Sequence, residues 1–385
     1  SNVRFGVNAG NSIASGGNYN VVLGDEAGTA LTTGTNNVAI GFEALKTEDA
    51  HGNNVAIGFQ ALKTLNAGQA GSNVAIGYKA ALAATTCVGN VVIGEAARQL
   101  GETAANVTAI GSSAFHKLSY NGDGFNVAVG QGACYNSTDT YNMAVVGKHA
   151  AFTNTTGANC SVLGSFALFS QTTGYSNVAV GTNAARAINT GYSNVAVGNS
   201  AMDDATTASN CVAIGNATLE KTTTAGANTA VGSSALNLCT ATFNTASGYI
   251  AGSGVTTGGY GAFFGANAGW RVSTGAQNTC IGSNAGQQLT TGANNVILGH
   301  NSASYGGNLV TGNNNILIGA NNGISATAGA DAIGLGATIV ATGGYTTLGS
   351  GGSDIRAAHG NVTWATVSDE RVKKDITNAT AGLSF

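Results

Sequence analysis

No proline occurs in the 385 residues, and only 8% of the side chains are charged, for a formal net charge of −3. Without proline, no backbone donor is missing from a hydrogen-bonded ladder anywhere along the chain. The sparse and balanced charge excludes the basic stripe that nucleic-acid binding requires and the polybasic cluster that holds a protein to an anionic membrane. Every apolar run falls far short of the eighteen or so residues needed to span a bilayer, so no membrane insertion is expected. The six cysteines (Cys87, Cys134, Cys160, Cys211, Cys239 and Cys280) show neither CxxC nor metal-type spacing and read as free thiols in small core or corner positions. No signal peptide opens the chain, which begins directly in a strand ("SNVRFG") and reads as a fragment or processed product.

What the chain does have is glycine, 59 residues of it, and a repeat. "NNVAIGFEALKT" (Asn36–Thr47) recurs as "NNVAIGFQALKT" (Asn53–Thr64), seventeen positions on. With the glycine that closes "VAIG" as a marker, the phase runs through Gly6, Gly24, Gly41, Gly58 and onward to Gly299. Thirteen of those seventeen intervals are seventeen residues long. Gly319, Gly334 and Gly349 extend the series with looser spacing. A single period over some three hundred residues overrides the two or three globular domains that length alone allows.

Columns around the marker carry the physics. One and three residues before it stand β-branched or large apolar residues (Val38 and Ile40, Val55 and Ile57), with Ala or Val between them; this period of two ended by glycine predicts a short strand. Three residues after it, sixteen of eighteen repeats have Ala, which predicts a second, tightly packed short segment. Four before it, thirteen of eighteen have Asn, suited to a left-handed corner and to amide ladders between stacked coils. "TTG" marks the opposite corner. A unit of strand, turn, short strand and turn cannot bury its apolar stripe alone, but stacked neighbours can. Helical readings fail, because seventeen residues are too few for a helix pair and glycine at every turn would weaken a helix. The expectation is an all-β parallel β-solenoid of about twenty coils, with residues 1–305 as regular repeats, 306–350 as irregular final coils and 351–385 as a C-terminal transition.

Little in the repeats points to catalysis. Asp25 and Glu95 follow their markers four coils apart and Glu43 stands one column on, so no paired-carboxylate geometry recurs. The five histidines share no column, and no metal or cofactor is expected. Cys160 and Cys211 share the asparagine column but lie three coils apart, about 14 Å, too far for a disulfide. One surface feature recurs: the position after the marker is polar in most coils but aromatic in three consecutive ones, Phe42, Phe59 and Tyr78. Such a row either offers rings to sugar faces, making these three the glycan-binding candidates, or covers a subunit seam, or stacks upon itself.

The "NNVAIG–x–x–A" unit resembles the head repeats of trimeric autotransporter adhesins, which wind as left-handed parallel β-rolls in homotrimers. The longer period with "TTGxNN" corners is similar to repeats of phage tail-fibre proteins. At the other end, "VTWATVSDERVKKDI" (Val362–Ile376) abruptly raises the charge. It resembles the entry to the intramolecular chaperone domain of endosialidase tailspikes, which trimerises a fibre and then cuts itself off. Carried over, that resemblance makes Ser368 the nucleophile and Lys373 its activating base, with the cut beside Val367–Ser368. Taken on its own, the segment also reads as a charged helix start with Ser368 as N-cap. Only seventeen residues follow Ser368, far fewer than that domain has, so the reading is of an uncleaved or truncated form.

These resemblances imply an elongated homotrimer, a tail-fibre shaft or receptor-binding fibre in a virion, extracellular, attaching to a host surface glycan or receptor and not itself an enzyme. The alternatives are a tailspike depolymerase whose catalytic part lies outside this chain, and a bacterial adhesin head on the cell surface.

Overall fold

The computed structural model describes residues 1–118, 123–306, 308–360 and 365–366. Among them no residue is helical, and the chain winds as a parallel β-solenoid of about twenty turns with a spacing of about seventeen residues. Two compact units are distinguished, Ser1–Ser234 and Ala235–Phe385.

In the first unit each coil contributes one strand, usually three residues long and ending at the marker glycine: Val38–Ile40, Val55–Ile57, Val74–Ile76 and so on to Thr229–Val231. Each pairs in parallel with the strand of the next coil, like column on like column, as Val38, Ala39 and Ile40 on Val55, Ala56 and Ile57. The seventeen-residue period is therefore the length of one turn around the solenoid. The coils at Gly111 and Gly130 carry longer strands (Ala105–Ile110 and Asp123–Val129), with a register irregularity between Ala105 and Val107.

In the second unit the same ladder runs from Thr245–Ser247 through Val296–Leu298, Ile316–Ile318 and Ile333–Leu335 to Tyr345–Ser350. There it ends in an antiparallel partner, Ser353–Ala358, which in turn pairs with Ala365–Thr366. The marker of the coil after Gly319 is Gly336, with φ +142°, and not Gly334. Gly334 lies inside a strand, paired with Leu317 and Thr347. The interval from Gly319 is thus again seventeen residues.

The expected second short strand is absent from the described first-unit coils. The segment after the marker is a run of turns, in which the second and fourth residues are left-handed: Glu43 and Leu45 at φ 54° and 50°, Gln60 and Leu62 at 57° and 48°. Alternating left-handed residues break the extended pleat, yet their amides still bond coil to coil, Gln60 N–H to Phe42 O (2.8 Å) and Leu45 N–H to Ala61 O (2.9 Å). Backbone donors are satisfied without a sheet. Only in the second unit does this side become a three-stranded parallel sheet, Tyr305–Gly306, Gly323–Ile324 and Val340–Ala341.

Asparagine does only part of the work expected: amides of the expected column do bond between coils, but that column is not the left-handed corner. The left-handed corner residue lies one position earlier (Asn36 at φ 57°, Asn53 at 65°), and the column four before the marker is a buried amide. In coil after coil its Oδ1 accepts the backbone N–H of the next coil's residue in that column, as Asn54 N–H to Asn37 (3.0 Å) and Asn194 N–H to Asn177 (3.0 Å). Its Nδ2 donates to a carbonyl fourteen residues ahead, Asn37 to His51 O (3.0 Å) and Asn194 to Ala208 O (2.8 Å). Amide-to-amide bonds join some neighbours, such as Asn194 Nδ2 to Asn177 Oδ1 at 3.1 Å. Where the column holds Cys211, its thiol faces the equivalent carbonyl, Ala225 O, at 3.6 Å. All six cysteines are free and buried, and burial pushes the thiols of Cys134, Cys160 and Cys211 up and that of Cys280 up to about 12.

The strand side of the interior is lined mostly with small residues, while the segment after the marker sends in larger ones such as Leu45, Leu62, Phe115 and Leu168. The middle residue of each first-unit strand from Val22 onward is buried, as is the alanine three after the marker. The larger residues on either side of it point outward and are half-buried or exposed.

The marker glycine answers two demands at once. At Gly58 φ is +131°, a region that side chains rarely adopt, and an added Cβ would lie 2.4 Å from Gly77 O in the next coil. Gly68 has φ +70° and open space around its missing Cβ. Gly58→Ala should therefore lower stability by about 3 kcal/mol or more, combining strained backbone and overpacking. Gly68→Ala should cost about 1 kcal/mol. Thermal melts of the two variants check this: equal shifts in midpoint would contradict the stacking argument.

Candidate interaction surface

Two surfaces stand out from the columns. The first is the outer face of the parallel sheet. Because side chains alternate across a strand, burying the middle alanine turns both its larger neighbours out. In the first unit, consecutive coils present Val38 and Ile40, Val55 and Ile57, Val74 and Ile76, and further along Val178 and Val180, Val195 and Val197. Val146, Leu163, Ile214 and Val231 stand 40%, 52%, 39% and 39% exposed on it. Two columns of aliphatic side chains thus run along the sheet. Where the outer column shrinks to Ala144 and Ser161, the face has a shallow apolar depression bordered by Val127, Val146, Leu163 and Val180. The second unit repeats the pattern with Ile281, Val296, Leu298, Ile316 and Leu335 exposed. Within each unit, an apolar face of this kind is the type of surface that an interaction partner covers.

The second surface is aromatic. Phe42, Phe59 and Tyr78 are 44%, 39% and 49% exposed, and the structure brings them together in one stack, centroids 5.4 and 5.3 Å apart. Interplanar angles of 21° and 13° mean that each ring covers its neighbour's face. The middle ring, Phe59, has a neighbour on both faces, so the row presents chiefly ring edges outward; Lys79 Nζ stands 5.1 Å from the Tyr78 centroid. Position within the coil explains the stack: parallel pairing sets like residues about 4.8 Å apart, close to the separation of stacked rings.

The same spacing builds stacks that a search of the column after the marker does not reveal. His116, Tyr135, Phe152 and Phe169 form a four-ring stack five residues after the marker, at 4.8, 5.0 and 5.4 Å. Tyr175 and Tyr192 stack at 5.0 Å with planes only 3° apart, and in the second unit Phe243 and Tyr260 stack at 5.2 Å. Reading every column of the repeat for aromatics at consecutive coils would have found them.

Beside the Phe42 row lies a charge cluster. The Glu43 carboxylate, 12% exposed, meets Lys46 Nζ and Lys63 Nζ at 2.7 Å each, and Gln60 Nε2 donates to it at 2.8 Å. Hydrogen bonds from Lys46 and then Lys63 hold its carboxyl down at about 2. A third grouping sits on the neighbouring corner, where Glu48, Asp49 and His51 converge. None of the three recurs in its column in the neighbouring coils, which is why column reading passed over the group.

Ser368 and Lys373 lie outside the described residues. Compared with known protein-family models, curated proteins and solved structures, the chain matches none.

The Glu43 cluster sets a pH dependence. Its folded-state value lies below the ordinary carboxylate value of 4.5. The stabilisation is thus fully present above that value and is lost as pH falls from 4.5 towards 2. Melting the chain and its Glu43→Gln variant between about pH 6 and pH 2 should show a difference of about 1 kcal/mol at the upper end that shrinks at low pH. A constant difference across that range would refute it.

Proposed function

We propose that this chain is part of a homotrimeric surface fibre, the shaft or receptor-binding portion of a phage tail fibre, displayed outside the cell and attaching to a host surface glycan or receptor. The observation that carries the reading is the outward aliphatic face of the parallel sheet. A chain standing alone would leave Val, Ile and Leu half-buried or exposed on the sheet face along coil after coil. Two further copies, each offering the same face, would cover it, and the hydrophobic effect would then hold the fibre together at about 25 cal/mol for every Å² removed from water. Sparse charge at that face removes the desolvation cost that would oppose such contact.

Attachment is supported by the rest of the surface. A repeated scaffold with rows of exposed rings and amides displays one chemistry many times, which suits a repetitive ligand such as a surface polysaccharide. The stacked rings narrow the mode: sugars would meet ring edges, tyrosine hydroxyls and neighbouring polar groups rather than open ring faces. By the resemblance of "SDERVKKD" to the chaperone entry, Ser368 with Lys373 would carry out self-cleavage after assembly.

Light scattering on the purified chain tests the reading, with a mass of three chains expected. Leu163→Glu places a carboxylate on the outward face without touching the interior. It should release single chains whose circular dichroism remains that of the parent. A parent that is monomeric at micromolar concentration would end the homotrimer proposal.

A further inference from the structure

We propose that Glu48, Asp49 and His51 form a zinc site on one corner of the solenoid; the inference is independent of the fibre reading. It starts from a misplaced carboxylate. Glu48 sits seven residues after its marker, in the position that Leu31 and Leu65 fill in the coils before and after, and like them it is fully buried. Burying a carboxylate in a leucine column costs several kcal/mol unless its charge is neutralised. Among the described residues its one ion-pair partner is His51, whose Nδ1 lies 3.0 Å from Glu48 Oε1. Asp49 Oδ1 lies 3.8 Å from the same nitrogen, and one ligand atom from each of the three residues falls within 4.8 Å of the others.

Three coils hold this corner. Thr32 of the preceding coil donates through its N–H (2.6 Å) and its hydroxyl (3.1 Å) to Asp49 O. Asn37 Nδ2, from the buried amide column, donates to His51 O at 3.0 Å. Ala67 N–H of the following coil donates to the second oxygen, Glu48 Oε2, at 3.3 Å. Oε1 faces the His51 ring and also accepts the His51 backbone N–H at 3.2 Å, and Asp49 Oδ1 accepts Ala50 N–H. The backbones of two ligand residues and the carboxylate of the third are thereby fixed before any ion arrives, as outer partners fix ligands in metal sites.

The donor set selects the metal. One imidazole nitrogen with two carboxylate oxygens suits zinc, whereas calcium and magnesium take oxygen alone. Zinc bonds of about 2.0–2.2 Å in a tetrahedron place ligand atoms about 3.4 Å apart. The two distances to Nδ1, 3.0 and 3.8 Å, straddle that value, and the two carboxylate oxygens lie within 4.8 Å of each other, so the exposed Asp49 side chain has to close on the other two. His51 is 25% and Asp49 49% exposed, which leaves the outer side open for water as the fourth ligand. Binding uses the lone pair on Nδ1, so the ring keeps its proton on Nε2 and any proton carried at Nδ1 passes to solvent.

The test is calorimetric titration of the full, tag-free chain with zinc chloride after dialysis against a chelator. One zinc per chain is expected, and Asp49→Ala and His51→Ala should each weaken binding about ten-fold or more. Asp49 is half exposed, so its variant keeps the fold, which circular dichroism verifies. Cobalt in place of zinc should give visible absorption bands that both variants lose. Absence of a saturable step in the parent, or variants that bind zinc within about two-fold of it, would overturn the proposal.

Discussion

Every coil must hand its backbone hydrogen bonds to the next coil at the same height, and that requirement of strict registration governs the rest of the molecule. Strands alone do not enforce it, since three-residue strands are too short to specify a register. The corners do. A buried asparagine accepts an amide proton from one neighbouring coil and donates across its own, so a slip by one residue would strand both groups in a dry interior. The marker glycine makes a second registration point, because only a residue without Cβ fits beneath the glycine of the next coil at Gly58. Seventeen residues per turn is the length that satisfies both points, and it recurs even at Gly319 to Gly336, where the sequence spacing looked irregular.

From registration follows a strand that turns its small residue in and its large ones out. Alanine fills most strand centres and the position three after the marker, the larger strand residues turn to the outer face of the sheet, and leucines such as Leu45, Leu62 and Leu65 fill the interior from the other side of the coil. The aromatic stacks obey the same rule at a different column: parallel registration sets rings at stacking distance, so they satisfy one another first and offer edges to anything else.

Much of this was legible in the amino-acid order. The period, the strands, the marker glycine, the buried alanines and the free cysteines all follow from like residues recurring at one spacing. What escaped did so for physical reasons. A period of two does not say which face of a strand is inward, and Val38-Ala39-Ile40 is consistent with either until the coil closes. In "NN" the left-handed residue and the buried amide are adjacent asparagines, Asn36 and Asn37, so composition cannot separate their roles. In "GLG" two glycines compete for the marker, and only the conformation at Gly336 decides. The Glu48, Asp49 and His51 corner occurs once, and a reading built on recurrence is blind to what does not recur. The extended second segment failed because alternating left-handed residues are invisible in a column of alanines.

Registration itself is testable by covalent trapping. Asn199 and Asn216 are exposed, one coil apart, with Asn216 Nδ2 3.3 Å from Asn199 Oδ1. Thr182 occupies the same column two coils from Asn216. Cysteines at 199 and 216 should close an intrachain disulfide under mild oxidation, since parallel neighbours lie about 4.8 Å apart and a disulfide needs Cα atoms within about 7 Å. Cysteines at 182 and 216, about 10 Å apart by the same spacing, should not. Mass spectrometry of the oxidised chains reads the outcome: bridging of 199 to 216 alone is the predicted result, and bridging of 182 to 216, or of neither pair, would contradict coil-on-coil registration.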